Sequence, residues 1–440
     1  MTEKRRVVFV SQMYPPEKGG NASRIHDTAT QLQDGDWNVS VLCPPPSYPP
    51  GEFDRSWQRS RTEVVDGVSV HRLWSWQPAV ENPGMARRLP YYLLFGIHAM
   101  VWLLLNVRKY DAVVTSTPPI STGAPGLLAA LLGKPWLVDV RDLWIDASIS
   151  LGYLEAGSPV ERVSRRFQRL VLHTADAISV TTETLGREIQ NQYGDSLGEK
   201  QLVIPNGVDT GQFEFERETH SGGVLAGGAT SSELGETSED NAGVAPRESA
   251  TDGGRKPTLV YTGNLGTAQD LEVCIRALPH LEHQDAVLRL VGSGDMESKL
   301  RELARELGVA ERVDFVGTVP RTAVPTYLNE ATVGVAPLKN GEALAYAMPT
   351  KVYEYLACGL PTVVTGTGEI ERFIDESGGG FHAANDPESV AERIDRLLAD
   401  EALRNRMGRQ GRDHVVRHYD RRAIADELRE KLHRLVEAQD

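Results

Sequence analysis

The first half of the chain alternates short apolar runs with longer amphipathic stretches. Strands separated by helices at this spacing pair in parallel, so the alternation predicts a doubly wound α/β domain. A loop containing proline and glycine follows the first run, and a helical pattern at residues 21–33 follows that loop. The runs that we predict as strands are residues 7–11, 38–43, 68–73, 112–116, 137–140 and 177–181.

The same alternation begins again in the second half. The predicted strands there are residues 258–262, 286–291, 312–316, 333–336 and 361–364, and helices are predicted at residues 270–281, 296–307 and 390–398. Two Rossmann-like α/β domains are therefore expected, one in residues 1–215 and one in residues 257–420.

The segment between the two domains has a different composition. Residues 216–256 are rich in glycine, serine, threonine and acidic residues. Such a segment buries too little apolar surface to offset the entropy lost on ordering. We predict a disordered acidic insertion that acts as a passive tether.

Residues 89–107 form a predicted helix without a polar face. Nineteen helical residues span about 28 Å, close to the thickness of a hydrocarbon core. A crossing is nevertheless not expected, because the strands before and after this helix belong to one sheet. Two interpretations remain, namely burial against a neighbouring helix or subunit and a peripheral membrane contact. The basic flanks and Trp102 favour the membrane contact.

Composition and charge exclude several classes of function. The net charge of −14 argues against nucleic acid as a partner, because a phosphate backbone needs a basic surface. The three cysteines, Cys43, Cys274 and Cys358, form no CxxC pair, so neither a zinc site nor a disulfide framework is indicated. No signal peptide is expected, because the first apolar run is too short. These features favour a cytoplasmic protein.

Four junctions have the residue types of a ligand site at the carboxyl ends of strands. Closely spaced glycines let the backbone approach a ligand, and a helix that starts there attracts anions. No GxxxxGK[ST] motif is present, and the 292–297 segment lacks the third glycine of a dinucleotide fingerprint. The candidate ligand-binding residues are Gly19 and Gly20, then Gly263, Asn264 and Gly266, then Gly292 and Gly294, and finally the helix at Thr350.

The fourth junction predicts a cradle for a nucleoside diphosphate. Thr350 is expected to cap a short helix whose amino end faces outward. Lys351 adds a positive charge there, and Glu354 offers an acceptor of the kind that holds ribose hydroxyls. The alternative is an ordinary helix–strand unit with surface charges, because short motifs have a real false-positive rate.

Seven segments in one order resemble a known family over nearly the whole chain except the insertion. Together they look like a retaining GT-B glycosyltransferase of family 4, and most like transferases that build surface polysaccharides, O-antigens and lipid-linked glycans. The segments are GGN at 19–21, DVRDLW at 139–144, IPNGVD at 204–209, YTGNLG at 261–266, LVGSGD at 290–295, VDFVGTVP at 313–320 and PTKVYEYLACGLPTVV at 349–364.

The resemblance implies two domains facing across a cleft, with a final helix in residues 421–440 packing back on the first domain. It implies a nucleotide-sugar donor held mainly by the second domain and a glycan or lipid-linked acceptor held mainly by the first. Val319 lies at the base-binding backbone, and Asp142 and Arg141 lie at the acceptor-side catalytic loop. Lys351 and the Thr350 helix end are expected to stabilise the departing diphosphate without a metal ion or any other cofactor.

The chain departs from the family pattern at two places. Eight residues before Glu354, where the family has another glutamate, the chain has Tyr346. The family's Arg and Lys after the first strand of the second domain are also missing, and Asn264 and Gln269 lie near there. These departures suggest a non-catalytic nucleotide-sugar-binding protein as one alternative function. A nucleotide-sugar 2-epimerase, which shares the fold, is the other.

Overall fold

A computed structural model of the chain describes residues 4–17, 20–47, 53, 60–77, 85–150, 152–214 and 256–438. The predicted insertion at residues 216–256 lies outside the described residues apart from Lys256, and Gly19 lies outside them as well.

The first domain is built on one eight-stranded sheet with helices on both faces. Its strands are β1 (Arg5–Val10), β2 (Trp37–Cys43), β3 (Arg61–Val65), β4 (Val68–Arg72), β5 (Ala112–Thr117), β6 (Trp136–Val140), β7 (Ala177–Val180) and β8 (Gln201–Val203). Its helices are α1 (Gly20–Asp34), α2 (Met85–Asn106), α3 (Gly123–Leu131), α4 (Trp144–Ser150), α5 (Pro159–Thr174) and α6 (Glu183–Tyr193). The strand order is β3-β4-β2-β1-β5-β6-β7-β8, and β3 alone runs antiparallel to its neighbour among these strands.

The second domain has a six-stranded parallel sheet in the order β11-β10-β9-β12-β13-β14. Its strands are β9 (Thr258–Thr262), β10 (Val287–Val291), β11 (Val313–Gly317), β12 (Val333–Ala336), β13 (Thr362–Val364) and β14 (Gly380–His382). The helices of this half are α7 (Leu271–Ala277), α8 (Glu297–Glu306), α9 (Val324–Glu330), α10 (Thr350–Ala357), α11 (Glu369–Ser377), α12 (Pro387–Ala399), α13 (Glu401–His418) and α14 (Arg421–Glu437).

The prediction of two doubly wound Rossmann-like domains is confirmed. The strands that the pattern missed are all at or near sheet edges. β3 has no buried residue, and β8 and β14 are three residues long. A short or exposed strand lacks the apolar run that the periodicity argument needs.

The last helix belongs to the core of the first domain. Ile424, Leu428, Leu432 and Val436 of α14 pack against the face of the first sheet that also carries α1. The chain returns to this domain beside the outgoing linker, where the Val208 amide donates to the Tyr419 carbonyl at 2.9 Å. The two domains are therefore joined by two adjacent crossings.

One side of α2 is buried and the other is apolar and exposed. Phe95, Ala99 and Leu103 are fully buried in the core between this helix and the sheet. On the opposite side Leu93, Ile97, Val101, Leu104 and Leu105 are about half exposed or more. Residues 88–109 are long and apolar enough to span a membrane by length and composition, which is weak evidence for a single helix. The exposed side agrees with the predicted absence of a polar face.

Replacing Leu432 with alanine should destabilise the first domain. The side chain is fully buried under the sheet, so its removal leaves a cavity, and the free energy of unfolding should fall by about 2–5 kcal/mol. Chemical denaturation measures this loss. Glu427→Ala, an exposed change on the same helix, should alter stability by no more than about 0.5 kcal/mol. Equal effects of the two changes would contradict the docking of α14.

Candidate active site

The candidate residues lie where parallel sheets form clefts. In the first sheet β1 lies between β2 and β5, and in the second β9 lies between β10 and β12. At such a reversal of strand order the neighbouring loops diverge and leave a crevice beyond the carboxyl ends of the strands. Arg141 and Asp142 follow β6, and the three predicted junctions that contain glycines follow β1, β9 and β10.

The two glycine loops of the second domain are interlocked through their backbones. The Gly263 amide donates to the Val291 carbonyl at 2.9 Å, and the Leu265 amide donates to the Ser293 carbonyl at 2.9 Å. Gly292 has φ +144°, and a Cβ there would lie 1.9 Å from the Gly263 carbonyl oxygen. The close contact of these loops therefore requires glycine at position 292.

A Cβ on either of two other predicted glycines in these loops, Gly294 or Gly266, would also lie too close to neighbouring atoms. A Cβ on Gly294 would lie 2.5 Å from the Leu265 carbonyl oxygen, and one on Gly266 would lie 2.5 Å from the side-chain nitrogen Nδ2 of Asn264. Packing of the two loops thus accounts for Gly294 without a ligand, whereas the atoms nearest to Gly266 belong to the flexible side chains of Asn264 and Gln269 in its own loop.

The helix α10 starts one residue earlier than it would if Thr350 were its N-cap. Pro349 is the N-cap residue, and Thr350 is the first helical residue and makes no capping hydrogen bond, so the predicted role of Thr350 as a cap is wrong. The physical reason is that Pro349 already supplies the extended backbone of an N-cap, with φ −64° and ψ 126°. The Thr350 hydroxyl instead faces the other domain, 4.0 Å from the position of a Cβ on Gly20.

Lys351 is held at the floor of this crevice. Its Nζ donates to the Tyr261 hydroxyl at 2.6 Å and lies 3.9 Å from the centre of that ring. The Tyr261 hydroxyl donates in turn to the Asn264 carbonyl at 2.6 Å. Burial lowers the pKa of Lys351 to about 7, although the Glu354 charge opposes the shift. The lysine also lies under the first glycine loop, because its Cε would be 3.5 Å from a Cβ on Gly263.

Glu354 is paired with an arginine that the sequence argument missed. Arg321 Nη2 lies 3.2 Å from Glu354 Oε1, and Arg321 Nη1 donates to the Ser23 hydroxyl of α1 at 3.3 Å. Burial raises the pKa of Glu354, and the charges of Arg321 and Lys351 oppose that shift. The available signal was position, because Arg321 is the second residue after Val319 in the predicted base-binding segment.

On the first domain, a buried carboxylate organises the edge of the cleft. Asp139 accepts from Arg24 at 3.1 Å and from the hydroxyls of Ser116 and Ser179 at 3.1 and 2.8 Å. Burial alone would raise its pKa, but Arg24, Arg141 and the two hydroxyls outweigh burial and lower it. Asp139 therefore stays ionised and fixes the side chain of Arg24.

Arg141 and Asp142 lie next to this carboxylate. Arg141 Nη2 donates to Asn206 Oδ1 at 2.9 Å, while its Nε and Nη1 are buried without a hydrogen-bond partner among the described residues. Burial lowers the pKa of Arg141 to about 9 and raises that of Asp142 to about 6, with Arg141 opposing the shift of Asp142. Both side chains have free hydrogen-bonding capacity for a ligand.

Tyr346 connects this loop to the second domain. It is 5% exposed, packs in the core of the first domain, and its hydroxyl accepts from the Leu143 amide at 3.1 Å. The Thr182 hydroxyl donates to the Tyr346 carbonyl at 3.0 Å. The residue that replaces the family's glutamate thus makes an interdomain contact next to Asp142.

The predicted residues form two groups on opposite sides of the cleft. The loops of Gly263 to Gly294 lie together with Thr350, Lys351 and Glu354 on the second domain, and Val319 packs near α10 in the same apolar cluster. Arg141 and Asp142 lie on the first domain, and Gly20 faces Thr350. In the part of the chain that the structure describes, no group of three or more histidine, cysteine or acidic residues could hold a metal ion.

This arrangement has the elements of a group-transfer site for an anionic substrate. Two basic side chains, Lys351 and Arg321, flank one carboxylate at the start of a helix, where the first backbone N–H groups have no intrahelical acceptors. Across the cleft, Asp142 has a pKa near the range in which a carboxylate can exchange a proton at neutral pH.

Two family models match the two halves of the chain. The model "Glycosyl transferase 4-like domain" matches residues 19–207, and the model "Glycosyl transferases group 1" matches residues 246–414. The named segments of the sequence lie almost wholly within these ranges.

Relatives and solved structures agree with these models. The glycosyl transferase WcaI of Escherichia coli (strain K12), whose name associates it with colanic acid biosynthesis, is 25% identical over 388 residues, 86% of this chain and 87% of that protein. The GDP-mannose-dependent alpha-(1-6)-phosphatidylinositol monomannoside mannosyltransferase of Mycolicibacterium smegmatis is 27% identical over 283 residues, 63% of this chain and 67% of that protein.

The structure of HepE from Anabaena in complex with UDP and glucose shares the fold, with a TM-score of 0.68 at 14% identity over 97% of this chain and 99% of that one. The comparisons give no support to the epimerase alternative. The two matched models, the relatives and the shared fold identify the chain as a glycosyltransferase of the GT-B fold.

Proposed function

We propose that this enzyme transfers a sugar, with retention of anomeric configuration, from a nucleotide-sugar donor to a glycan or lipid-linked acceptor in the synthesis of a surface polysaccharide or glycoconjugate. The observation that carries the proposal is the position of Lys351. It lies at the amino end of α10 and under the Gly263 loop, and it is beside the Arg321–Glu354 pair. This is where the sequence predicts the cradle for the diphosphate.

In this proposal the second domain stabilises the leaving group. Departure of a nucleoside diphosphate builds negative charge, which preorganised cations and N–H groups stabilise most strongly in the transition state. Lys351 supplies the charge, and α10 supplies N–H groups and the positive end of its dipole. Arg321 compensates for the Arg and Lys that the family has after β9. We propose no role for a metal ion or another cofactor.

Glu354 has a different task in the same site. Its carboxylate accepts hydrogen bonds, so ribose hydroxyls are suitable partners for it once the donor is bound. Its contact with Arg321 limits its freedom in the absence of donor, and the arginine in turn contacts Ser23 on the first domain. We infer that Val319, two residues before Arg321, contacts the base through its backbone.

On the acceptor side, the proposal assigns Asp142 and Arg141. The buried oxygen of Asp142 that has no partner among the described residues is a suitable acceptor for a sugar or phosphate-linked hydroxyl. The unpaired N–H groups of Arg141 can donate to acceptor oxygens. Retention in this scheme follows the family account, in which the acceptor attacks on the face from which the diphosphate leaves.

A lipid-linked acceptor would explain why an apolar side of α2 is exposed. The name of the mycobacterial relative states a phosphatidylinositol-based acceptor, and the name of the Escherichia coli relative states colanic acid biosynthesis. A lipid-linked acceptor lies in a membrane, and an apolar helix side that is exposed on the acceptor domain can contact that membrane. We therefore infer a cytoplasmic enzyme that acts at the inner face of the cell membrane.

Lys351→Ala and Glu354→Gln should impair different kinetic constants. The lysine change should lower kcat, with about 2.7–4 kcal/mol added to the barrier, because charge on the departing diphosphate peaks in the transition state. The glutamate change should chiefly raise KM for the donor, because ribose contacts differ little between ground and transition states. Steady-state kinetics measures both, and circular dichroism checks folding. Wild-type constants in both variants would rule out the donor cradle, and donor binding without turnover in the wild type would indicate the non-catalytic alternative.

Donor binding should take up a proton at about pH 8. The pKa of free Lys351 is about 7, so its amine is mostly neutral at that pH, and the diphosphate should restore its charge. Affinity should therefore fall as pH rises above about 7. Calorimetry with a nucleoside diphosphate in two buffers of different ionisation enthalpy measures the uptake. In Lys351→Arg the group is always charged, so the buffer dependence should disappear; uptake that persists there would assign the proton to another group.

The membrane contact should depend on the exposed side of α2. Leu104→Glu with Leu105→Glu places two charges where the proposal has acyl chains, and recovery with floated vesicles should fall at least about tenfold. The control is Val64→Glu with Val416→Glu, two exposed valines outside this helix. A wild-type protein that stays in the soluble fraction would favour burial of α2 against another subunit.

A further inference from the structure

An arginine-lined cavity lies on the first domain, outside the cleft between the domains. It has a volume of about 440 Å³ and lies between α5 and α6. Its lining residues are Asp146, Arg165, Arg166, Arg169, Gln192 and Tyr193. Nothing in the proposed transfer reaction uses these side chains.

The charges of the cavity are only partly neutralised. Arg165 is paired with Asp146 and Glu161, both at 2.7 Å. Arg169 contacts the Gln192 carbonyl at 3.4 Å and the Tyr193 ring at 6.0 Å, and it has no carboxylate within ion-pair distance among the described residues. Arg166 has no ion-pair or hydrogen-bond partner in that part of the chain. Two arginines are therefore free to bind an anion.

The cavity also offers a neutral hydrogen-bond donor. Tyr193 is 3% exposed, and its hydroxyl makes no hydrogen bond of normal geometry among the residues that the structure describes, although the Arg165 guanidinium is near enough to oppose the rise in its pKa that burial causes. A buried hydroxyl without a partner is unfavourable unless water or a ligand satisfies it. Two guanidinium groups and a hydroxyl together match a phosphate, whose oxygens are all acceptors and which arginine binds in a bidentate manner.

The surface beside this cavity is apolar. The helices α2, α3 and α5 pack side by side and bury residues in one common core, so their outer sides face away from the sheet together. The most exposed apolar side chains on α3 and α5 are Leu131, Val163 and Leu170, which are 83%, 63% and 53% exposed. We refer to them, together with the exposed residues of α2 named above, as the apolar surface. Leu170 follows Arg169 in α5 and lines a groove with Leu131, so apolar side chains lie beside the arginines of the cavity.

We propose that this cavity binds the phosphate of an anionic lipid headgroup while the apolar surface contacts the acyl region. The whole chain has a net charge of −14 and is repelled by an anionic membrane, so attraction must come from a local basic site. Arginines at the rim of an exposed apolar surface provide that attraction where headgroups meet chains. The inference rests on the membrane contact proposed for α2, and it does not depend on which residues of the cleft bind the donor and the acceptor.

The test compares vesicles of phosphatidylcholine alone with vesicles that also contain phosphatidylglycerol. The wild-type protein should prefer the anionic vesicles, and Arg166→Gln with Arg169→Gln should reduce binding to them about thirtyfold, the loss expected for two cationic side chains near an anionic surface. The matched control is Arg406→Gln with Arg409→Gln, which removes two exposed arginines at the same spacing from α13. The control should keep the preference. A wild type without the preference, or equal losses in both variants, would overturn the proposal.

Two further measurements distinguish a lipid headgroup from free phosphate as the ligand, and the cavity proposal from the transfer proposal. In the first, inorganic phosphate is added without vesicles to the Lys351→Ala variant, in which the donor cradle does not contribute. Phosphate could raise the melting temperature only when Arg166 and Arg169 are present, while the protein shows no preference for anionic vesicles. That result would assign the cavity to free phosphate and overturn the lipid proposal. Failure of the α2 contact appears as loss of binding to neutral vesicles as well. Transfer to a soluble acceptor should be unchanged in the cavity variant, so failure of the transfer proposal remains distinguishable.

Discussion

The ion pair between Arg24 and Asp139 determines where the parts of the cleft lie. Asp139 is the penultimate residue of β6, and Arg24 reaches it from the first turns of α1, then continues to the Pro205 carbonyl at 2.6 Å and to Asn206. One guanidinium therefore fixes a helix, a strand end and the linker to the second domain. A partner removed from such a buried pair leaves an uncompensated charge and costs about 3–5 kcal/mol. The loop of Arg141 and Asp142 starts two residues after Asp139, so its position depends on this pair.

The two walls of the cleft differ in the kind of buried group whose charge is suppressed, which is a carboxylate on the first domain and a lysine on the second. On the first domain, buried donors hold Asp139 ionised, while burial raises the pKa of Asp142 to about 6. On the second domain, Lys351 is buried with its pKa lowered to about 7 beside a glutamate whose pKa is raised. Each wall keeps part of its charge suppressed in the absence of ligand, because a low dielectric disfavours ions without partners. A polyanionic ligand would reverse this suppression at Lys351.

The periodicity of the sequence was sufficient for the two parallel sheets and for the junctions at their carboxyl ends. It failed for β3, β8 and β14, because short or exposed edge strands have no buried run to detect. Within the site, Lys351 and the glycine loops could be placed from local motifs, since their neighbours in space are also near in sequence or follow adjacent strands. Arg321 was missed, although it lies two residues after Val319, because its contacts with Glu354 and Ser23 are visible only in the structure. The N-cap of α10 was misplaced by one residue because Pro349 and Thr350 both suit that position.

Tyr346 belongs by sequence to one domain and by burial to the other. Its ring is packed among residues of the first domain, although the loop that carries it leads directly into α10 of the second. A chimera that joins the first domain of this enzyme to the second domain of a relative would thus leave a hole in the first domain unless position 346 travelled with it. The boundary between the two domains is therefore not a point along the chain, and exchange of domains between relatives is constrained by a side chain that both domains share.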